Sequence, residues 1–282
     1  MAAVAQTFDL QGHRGCRGLM PENSIPGFLK AMELGVNTLE MDVVISADGK
    51  VVVSHDPYIS ADFCLNEIGR QITKNEEKKL LIYQMLYDDV KQFDCGSKGH
   101  KAFPEQARMT VYKPLLSEVI TTCEAFGQSR NLAPVHYNIE LKSSPAGDMT
   151  LHPEPAYFVE LVYNVIKCAV PAERICIQSF DMRILQTWKL KYPDYTLSYL
   201  VENSKSASKN LEELGFTPTI YSPHYKLLNQ KCIEELHAKS IKVIPWTVNK
   251  VEDMRQLKTW GVDGLITDFP DLYMTNFSLT GE

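Results

Sequence analysis

Thr38-Leu39-Glu40-Met41-Asp42-Val43-Val44-Ile45 reads as a β-strand with two faces of opposite character. Side chains alternate across a strand, so Glu40 and Asp42 point one way while Leu39, Met41 and Val43 point the other. Residues 135–142 repeat the pattern, with His136, Asn138, Glu140 and Lys142 opposite Tyr137, Ile139 and Leu141. Strands that are apolar on one side and carboxylate-bearing on the other fit a barrel, whose apolar side meets an outer ring of helices and whose polar side faces the interior. A solvated strand face is the bland alternative for Glu40 and Asp42, but it would leave the flanking helical patterns nothing apolar to cover.

Six further β-branched runs lie at residues 7–13, 174–179, 196–201, 219–222, 242–248 and 264–267, which brings the strands to eight. Helical patterns separate them at residues 25–34, 115–126, 156–168, 182–192, 205–214, 229–238 and 251–260, and Gly35, Gly127, Gly215 and Gly261 stand where four of these should end. The expected fold is α/β, a single (β/α)8 TIM barrel over residues 1–282, close to the ~250 residues typical of such barrels. Asp48-Gly49 followed by a strand-like run at 50–54 predicts a hairpin. Residues from about 57 to 113 far exceed a usual connection of ~2–6 residues and form an insertion after the second strand, expected to cap one barrel mouth. Within it, Leu80, Leu81, Tyr83, Leu86 and Tyr87 suggest an amphipathic packing helix.

A net charge of −6 offers no electrostatic footprint for nucleic acid, so that partner class is excluded. No apolar run approaches the ~18 residues of a transmembrane segment, and the first residues lack the regions of a signal peptide. Ala3-Val4-Ala5 nevertheless resembles the small-residue end of an export signal. The chain is expected to be soluble, and cytoplasmic or, if a signal was removed, periplasmic or secreted. The seven cysteines lack any close CxxC pair and read as thiols rather than as a zinc site or a disulfide frame. Nothing beside Cys16 argues for a nucleophile.

Three inward carboxylates, Glu40, Asp42 and Glu140, with no cysteine beside them suit one hard divalent cation, Mg²⁺ or Ca²⁺, better than zinc. Gly12-His13-Arg14-Gly15 places an imidazole and a guanidinium at the end of the first strand, and Ser54-His55-Asp56 supplies a second imidazole after the hairpin. Arginine offers a planar fork to phosphate, and two histidines about one phosphorus can serve as acid and base. Lys142 can pair with Glu140 or with phosphate. Glu22 and Gln178 fall at the mouth but could equally cap loop or helix ends, and Trp246, alternating with Ile244 and Val248, suits barrel core as well as a substrate wall. His100, His136, His152, His224 and His237 have no spacing that recruits them and read as structural or exposed.

The residues His13-Arg14-Gly15, Pro21-Glu22-Asn23-Ser24, Phe28, Ala31, Gly35, Glu40-Met41-Asp42-Val43, Asp48-Gly49 and His55-Asp56 follow, in order and spacing, a pattern that resembles the glycerophosphodiester phosphodiesterases. Glu140-Leu141-Lys142, Gln178-Ser179-Phe180, Trp246-Thr247-Val248-Asn249, Gly261-Val262-Asp263-Gly264 and Thr267-Asp268 extend the resemblance over nearly the whole chain. It departs at Ser24, where threonine is commoner, and gives no pattern for residues 59–112. The resemblance implies a divalent cation held by Glu40, Asp42 and Glu140, His13 and His55 as the catalytic pair, and Arg14 and Lys142 neutralising phosphate. It further implies attack by the substrate's glycerol hydroxyl to give a cyclic phosphate, opened by water to glycerol 3-phosphate, with release of an alcohol. The small-molecule substrate class would be glycerophosphodiesters such as glycerophosphocholine or glycerophosphoethanolamine. Two alternatives are lysophospholipase D-type hydrolysis of lysophospholipids, which needs an apolar trough from the insertion, and a catalytically inactive phosphate-ligand binding barrel. A metal-dependent aldolase or isomerase would leave His13, Arg14 and His55 unexplained.

Overall fold

The computed structural model describes residues 8–277; Ala3-Val4-Ala5 and the first residue of the expected strand at 7–13 lie outside them. β1 (Asp9–Gly12), β2 (Thr38–Ile45), β4 (His136–Leu141), β5 (Ile175–Ser179), β6 (Thr196–Val201), β7 (Ile220–Pro223), β8 (Lys242–Val243) and β9 (Gly264–Thr267) run parallel in the order β8-β7-β6-β5-β4-β2-β1-β9. The ends of this sheet meet through backbone hydrogen bonds from Asp263 to Val243, Ile266 to Pro245 and Val248 to Ile266, so the eight parallel strands form a nearly closed barrel. β3 (Val51–Val53) pairs antiparallel with β2 across the turn at Asp48-Gly49, where Gly49 has φ 74°.

The strand alternation holds. Leu39, Met41, Val43, Tyr137, Ile139 and Leu141 are buried in the layer between strands and helices. The interior carries Gln11, Glu40, Asp42, Asn138, Glu140 and Gln178, all nearly inaccessible, with an apolar patch of Cys176, Ile220, Ile244 and Ile266 against which Trp246 packs. Several helix boundaries have a local cause. α1 (Ile25–Glu33) starts where the Ser24 hydroxyl accepts from the Gly27 amide and stops before Gly35, φ 85°. α6 (Met182–Lys191) is capped by Asp181, and Gly215 ends α7 (Ala207–Leu214) in the left-handed region.

Several sequence expectations are corrected. The helix expected to stop at Gly127 continues to Ser129, and the left-handed residue beyond it is Asn131, φ 52°. A Cβ at 127 would stand 3.3 Å from the terminal methyl of Met32 of α1, so the two helices pack closely here. The strand at 242–248 is regular only through Val243, since Pro245 lacks an amide to continue the ladder. Val248 lies in the outer layer with the helices, not inward with Ile244 and Trp246.

The insertion holds no amphipathic helix around Tyr83. Leu81 bridges Tyr58 in antiparallel fashion, and the Ile59 and Ile82 amides bond Leu80 and Pro57, so the backbone there is already engaged. Only a single 3-10 turn (Ile82–Gln84) and a short helix, Tyr87–Val90, follow. The reading of all seven cysteines as thiols is wrong for two, because Cys64 and Cys95 form a disulfide inside a small apolar cluster with Ile59, Phe63, Ile72, Ile82 and Phe93. Their separation of 31 residues gave no local signal; only the folding of the insertion brings them together.

A crosslink closing a loop of that length contributes roughly 2–4 kcal/mol. Replacing both cysteines by serine should lower the urea midpoint of unfolding accordingly, and an unchanged midpoint would mean that the apolar cluster alone holds the insertion.

Candidate active site

The carboxyl ends of the strands assemble the charged residues around a cavity of about 260 Å³, lined by His13, Arg14, Arg17, Glu40, His55, Glu140, Lys142, Gln178, Phe180, Glu202 and Trp246. A larger cavity of about 440 Å³ lies at the opposite, amino-terminal end, beside Asp9, Thr38 and His136. Barrel enzymes place their chemistry at the carboxyl end, and the converging charges here agree with that.

Register explains the carboxylates. Asp42 and Glu140 are direct neighbours across the β2–β4 ladder, and Glu40 precedes Asp42 by one alternation on the same face. Ligand atoms of the three lie within 4.8 Å of one another. Burial and the nearby Asp42 and Glu140 push Glu40 well above its usual range, and burial also raises Glu140, although Lys142 opposes it. Asp42 moves the other way: burial disfavours its charge, but Arg14, with His55 and Lys142, holds it below the ordinary carboxylate range.

The cationic partners are in contact. Lys142 Nζ lies 2.7 Å from Glu140 and 3.6 Å from Asp42, and Arg14 Nε lies 3.3 Å from Asp42. Asn23 donates to Asp42 at 2.9 Å. Glu40 receives only neutral donors, the Arg14 amide at 2.9 Å and Gln178 Nε2 at 2.9 Å. Among the described residues no cationic side chain contacts Glu40, and the three carboxylates form an all-oxygen donor set, which is the environment a hard divalent cation fits.

Local backbone positions these groups. The loop after β1 turns back so tightly that a Cβ on Gly12 would stand 2.1 Å from the Gly15 carbonyl, and Gly15 itself has φ 87° against α1. Between them Arg14 adopts φ 50°, an uncommon conformation for a side-chain-bearing residue, which aims its amide at Glu40 while its guanidinium reaches Glu22 at 3.0 Å.

Each histidine is tethered by a carboxylate. His13 Nδ1 lies 2.6 Å from Asp268 and His55 Nδ1 2.8 Å from Asp56, so with the proton on Nδ1 each leaves Nε2 free. Burial pulls the His13 pKa down to about 4 against the attraction of Asp268. Arg17 and Asn249 also donate to Asp268, which is held below the usual carboxylate range, against its burial, by His13 and Arg17.

All the expected site residues gather at this mouth, but with different neighbours. Glu22 spends its carboxylate on Arg14 and Arg17, Gln178 lies beneath Glu40, and Trp246 packs edge-on to Phe180 at 5.4 Å. Cys16 is buried with its thiol donating to the Gly27 carbonyl, and burial pushes its pKa up to about 12, so it is no nucleophile. His152 is structural: it is buried and bonds the backbone of Ser144 and Pro153. Sequence reasoning gave no role to Asp268, Asn23, Arg17 or Lys113. Asp268 and Asn23 stood inside quoted motifs, and Asp268 directly follows the last strand, a usable signal. Lys113 had none: it arrives from the far end of the insertion to donate to the Ser54 hydroxyl at 2.9 Å, next to His55.

Residues 13–272 match the profile of the glycerophosphoryl diester phosphodiesterase family. The glycerophosphodiester phosphodiesterase of Bacillus subtilis (strain 168) is 29% identical over 272 residues, covering 93% of this chain and 83% of its own. That of Caldanaerobacter subterraneus subsp. tengcongensis is 29% identical over 259 residues, covering 92% and 93%. The crystal structure of a Silicibacter pomeroyi DSS-3 protein assigned as a glycerophosphoryl diester phosphodiesterase superposes with a TM-score of 0.85 at 29% identity, over 96% of this chain and 93% of that one.

Removing one of three mutually repelling carboxylates has two opposite effects. In EDTA, Glu40→Gln should melt at or above the wild-type temperature, whereas Mn²⁺ at about 100 times its Kd should stabilise the wild type by about 2.7 kcal/mol and the variant far less. Equal cation-induced shifts in both proteins would rule Glu40 out as a ligand.

Proposed function

The chain belongs to the glycerophosphoryl diester phosphodiesterase family, and from that premise we propose that it hydrolyses glycerophosphodiesters to glycerol 3-phosphate and an alcohol. The observation that carries this reading is the pair of carboxylate-tethered imidazoles facing a cavity that also presents Glu40, Glu140, Arg14 and Lys142. The reading treats residues 1–282 as one barrel unit with residues 57–113 as its insertion.

Glu40, Asp42 and Glu140 would hold one divalent cation, Mg²⁺ or Ca²⁺. When bound, it supplies Lewis-acid stabilisation of charge on the phosphoryl oxygens. The protein's own groups do the rest. Arg14 and Lys142, both already pointing at the carboxylate cluster, meet the non-bridging phosphate oxygens as charge develops on them. His13, neutral near pH 7, takes the proton from the substrate's glycerol hydroxyl as that oxygen attacks phosphorus. His55 delivers a proton to the departing alcohol oxygen, so the phosphorus–oxygen bond breaks without releasing an alkoxide. The resulting cyclic phosphate is opened by water with the two imidazoles exchanging roles. Asp268 and Asp56 fix each ring so that Nε2 faces the reacting oxygen.

No helix among the described residues is long and apolar enough to cross a membrane. The Cys64–Cys95 bond persists best in an oxidising compartment, which favours the periplasmic or secreted alternative over the cytoplasm.

The direct test is release of glycerol 3-phosphate from glycerophosphocholine and glycerophosphoethanolamine, in EDTA and after adding Mg²⁺, Ca²⁺ or Mn²⁺ separately. Release in EDTA equal to that with metal would remove the cation from the mechanism, and release from lysophospholipids alone would transfer the reading to that substrate class.

His13→Ala, His55→Ala and Asp268→Asn should each lower kcat by about 10²- to 10⁴-fold while circular dichroism stays unchanged. Full activity in any of them would strike that residue from the mechanism.

Because burial lowers the His13 pKa, its imidazole stays a base down to mildly acidic pH. The acid limb of kcat/KM that belongs to His13 should therefore fall near pH 4, not near 6.5, as the ring takes up a proton. The same shift works on stability: the folded form resists protonating His13, so its contribution is complete above about pH 6.5 and is lost as pH falls through 4. A limb at 6.5 that disappears in His13→Ala would contradict the burial effect.

A further inference from the structure

A line of hydrogen bonds crosses the barrel interior from its amino-terminal end to Glu40. Gln11 Nε2 donates to Asp9 at 2.7 Å, Asn138 Nδ2 donates to Gln11 Oε1 at 2.7 Å and to Gln178 Oε1 at 3.0 Å, and Gln178 Nε2 donates to Glu40 Oε1 at 2.9 Å. Asp9 is further fixed by the Thr38 hydroxyl at 2.7 Å. Gln11, Asn138, Gln178 and Glu40 are each 1% exposed, so bulk water cannot substitute for these contacts.

The direction of every bond follows from the two ends. Asp9 can only accept, so Gln11 must turn its amino group down and its oxygen toward the centre. An ionised Glu40, as a cation ligand must be, can only accept as well, so Gln178 must turn its amino group up and its oxygen toward the centre. Two oxygens therefore face residue 138 from opposite sides. A neutral group that meets both must donate two hydrogens, and the asparagine amino group does so. Its own oxygen is left over, and Asn138 Oδ1 indeed has no hydrogen-bond partner among the described residues. The alternative orientation of Asn138 would set its oxygen against the oxygens of Gln11 and Gln178, acceptor against acceptor on both sides.

We propose that Asn138 is a positioning residue for the candidate cation site, reversing the hydrogen-bond polarity of the barrel interior so that Gln178 keeps a donor on Glu40 Oε1, with Asp9 as the anchor that sets the polarity from the far end. With the Arg14 amide on Oε2, this leaves Glu40 held at both oxygens by neutral donors, its charge uncompensated and its plane fixed. The proposal rests on the reading that Glu40, Asp42 and Glu140 bind a divalent cation. It adds two residues, Asn138 and Asp9, that touch neither cation nor substrate.

The test is Mn²⁺ binding by calorimetry without substrate, alongside thermal unfolding. Asn138→Leu keeps the branched shape and removes both donors, and is expected to weaken Mn²⁺ about tenfold or more, as loss of a group that orients a metal ligand does. A merely structural role would lower the melting temperature and leave the Mn²⁺ affinity unchanged, and that result in a folded Asn138→Leu overturns the proposal. Should that variant fail to fold, Asp9→Asn, at the half-buried end of the line, releases Gln11 to turn either way and is expected to weaken Mn²⁺ on the order of threefold. An unaltered affinity there overturns the role of Asp9 as anchor. A wild-type protein that binds no Mn²⁺, Mg²⁺ or Ca²⁺ at all would instead overturn the cation reading, and the proposal with it.

Discussion

Glu40, Asp42 and Glu140 bring three carboxylates within 4.8 Å of one another inside a barrel, where like charges repel far more strongly than in water. Much of the surrounding architecture answers that repulsion. Arg14 takes a left-handed backbone conformation that lets one residue donate its amide to Glu40 and approach Asp42 with its guanidinium. Lys142 spans Glu140 and Asp42, and Asn23 donates to Asp42. Asp42 thereby has cationic partners and Glu40 has none in contact among the described residues, so the imbalance is localised on one side of the cluster. That asymmetry fits a candidate cation site better than a set of internal ion pairs.

The same economy of contacts links the insertion to the carboxyl-end mouth of the barrel. Phe103 stacks in a series with Phe63 and His100, meets Phe269 at 6.1 Å and lies under the Arg17 guanidinium at 4.8 Å. Arg17 in turn holds Asp268, which holds His13. Lys113, at the end of the insertion, fixes Ser54 beside His55. Both imidazoles are thus supported partly by a segment that lies outside the eight-strand repeat, and the disulfide between Cys64 and Cys95 ties that segment to itself.

The barrel was legible because strand alternation is a local property. Residues 38–45 and 196–201 coincide with β2 and β6, and Gly35, Gly215 and Gly261 mark helix ends through their left-handed φ. Legibility failed where a long-range contact outweighed local preference. Gly127 lies inside α4 (Leu116–Ser129), packed close to the end of Met32 of α1, and Leu81 is extended because residues 57–59 pair with this stretch. Glu40, Asp42 and Glu140 could be found from their shared strand face, whereas the pairing of His13 with Asp268 could not, since the two are 255 residues apart.

The sequence by itself determined the number and order of the strands, the face on which the carboxylates lie, and the residue types gathered at one end of the barrel. Those follow from periodicities of two and 3.6 and from motif order, which any short window carries. Only the tertiary structure decided which carboxylate is left uncompensated, which nitrogen of each histidine is free, and which way the interior amides point. These depend on distances between residues from different strands and on the low-dielectric interior that closure creates, and neither exists until the ends of the sheet meet.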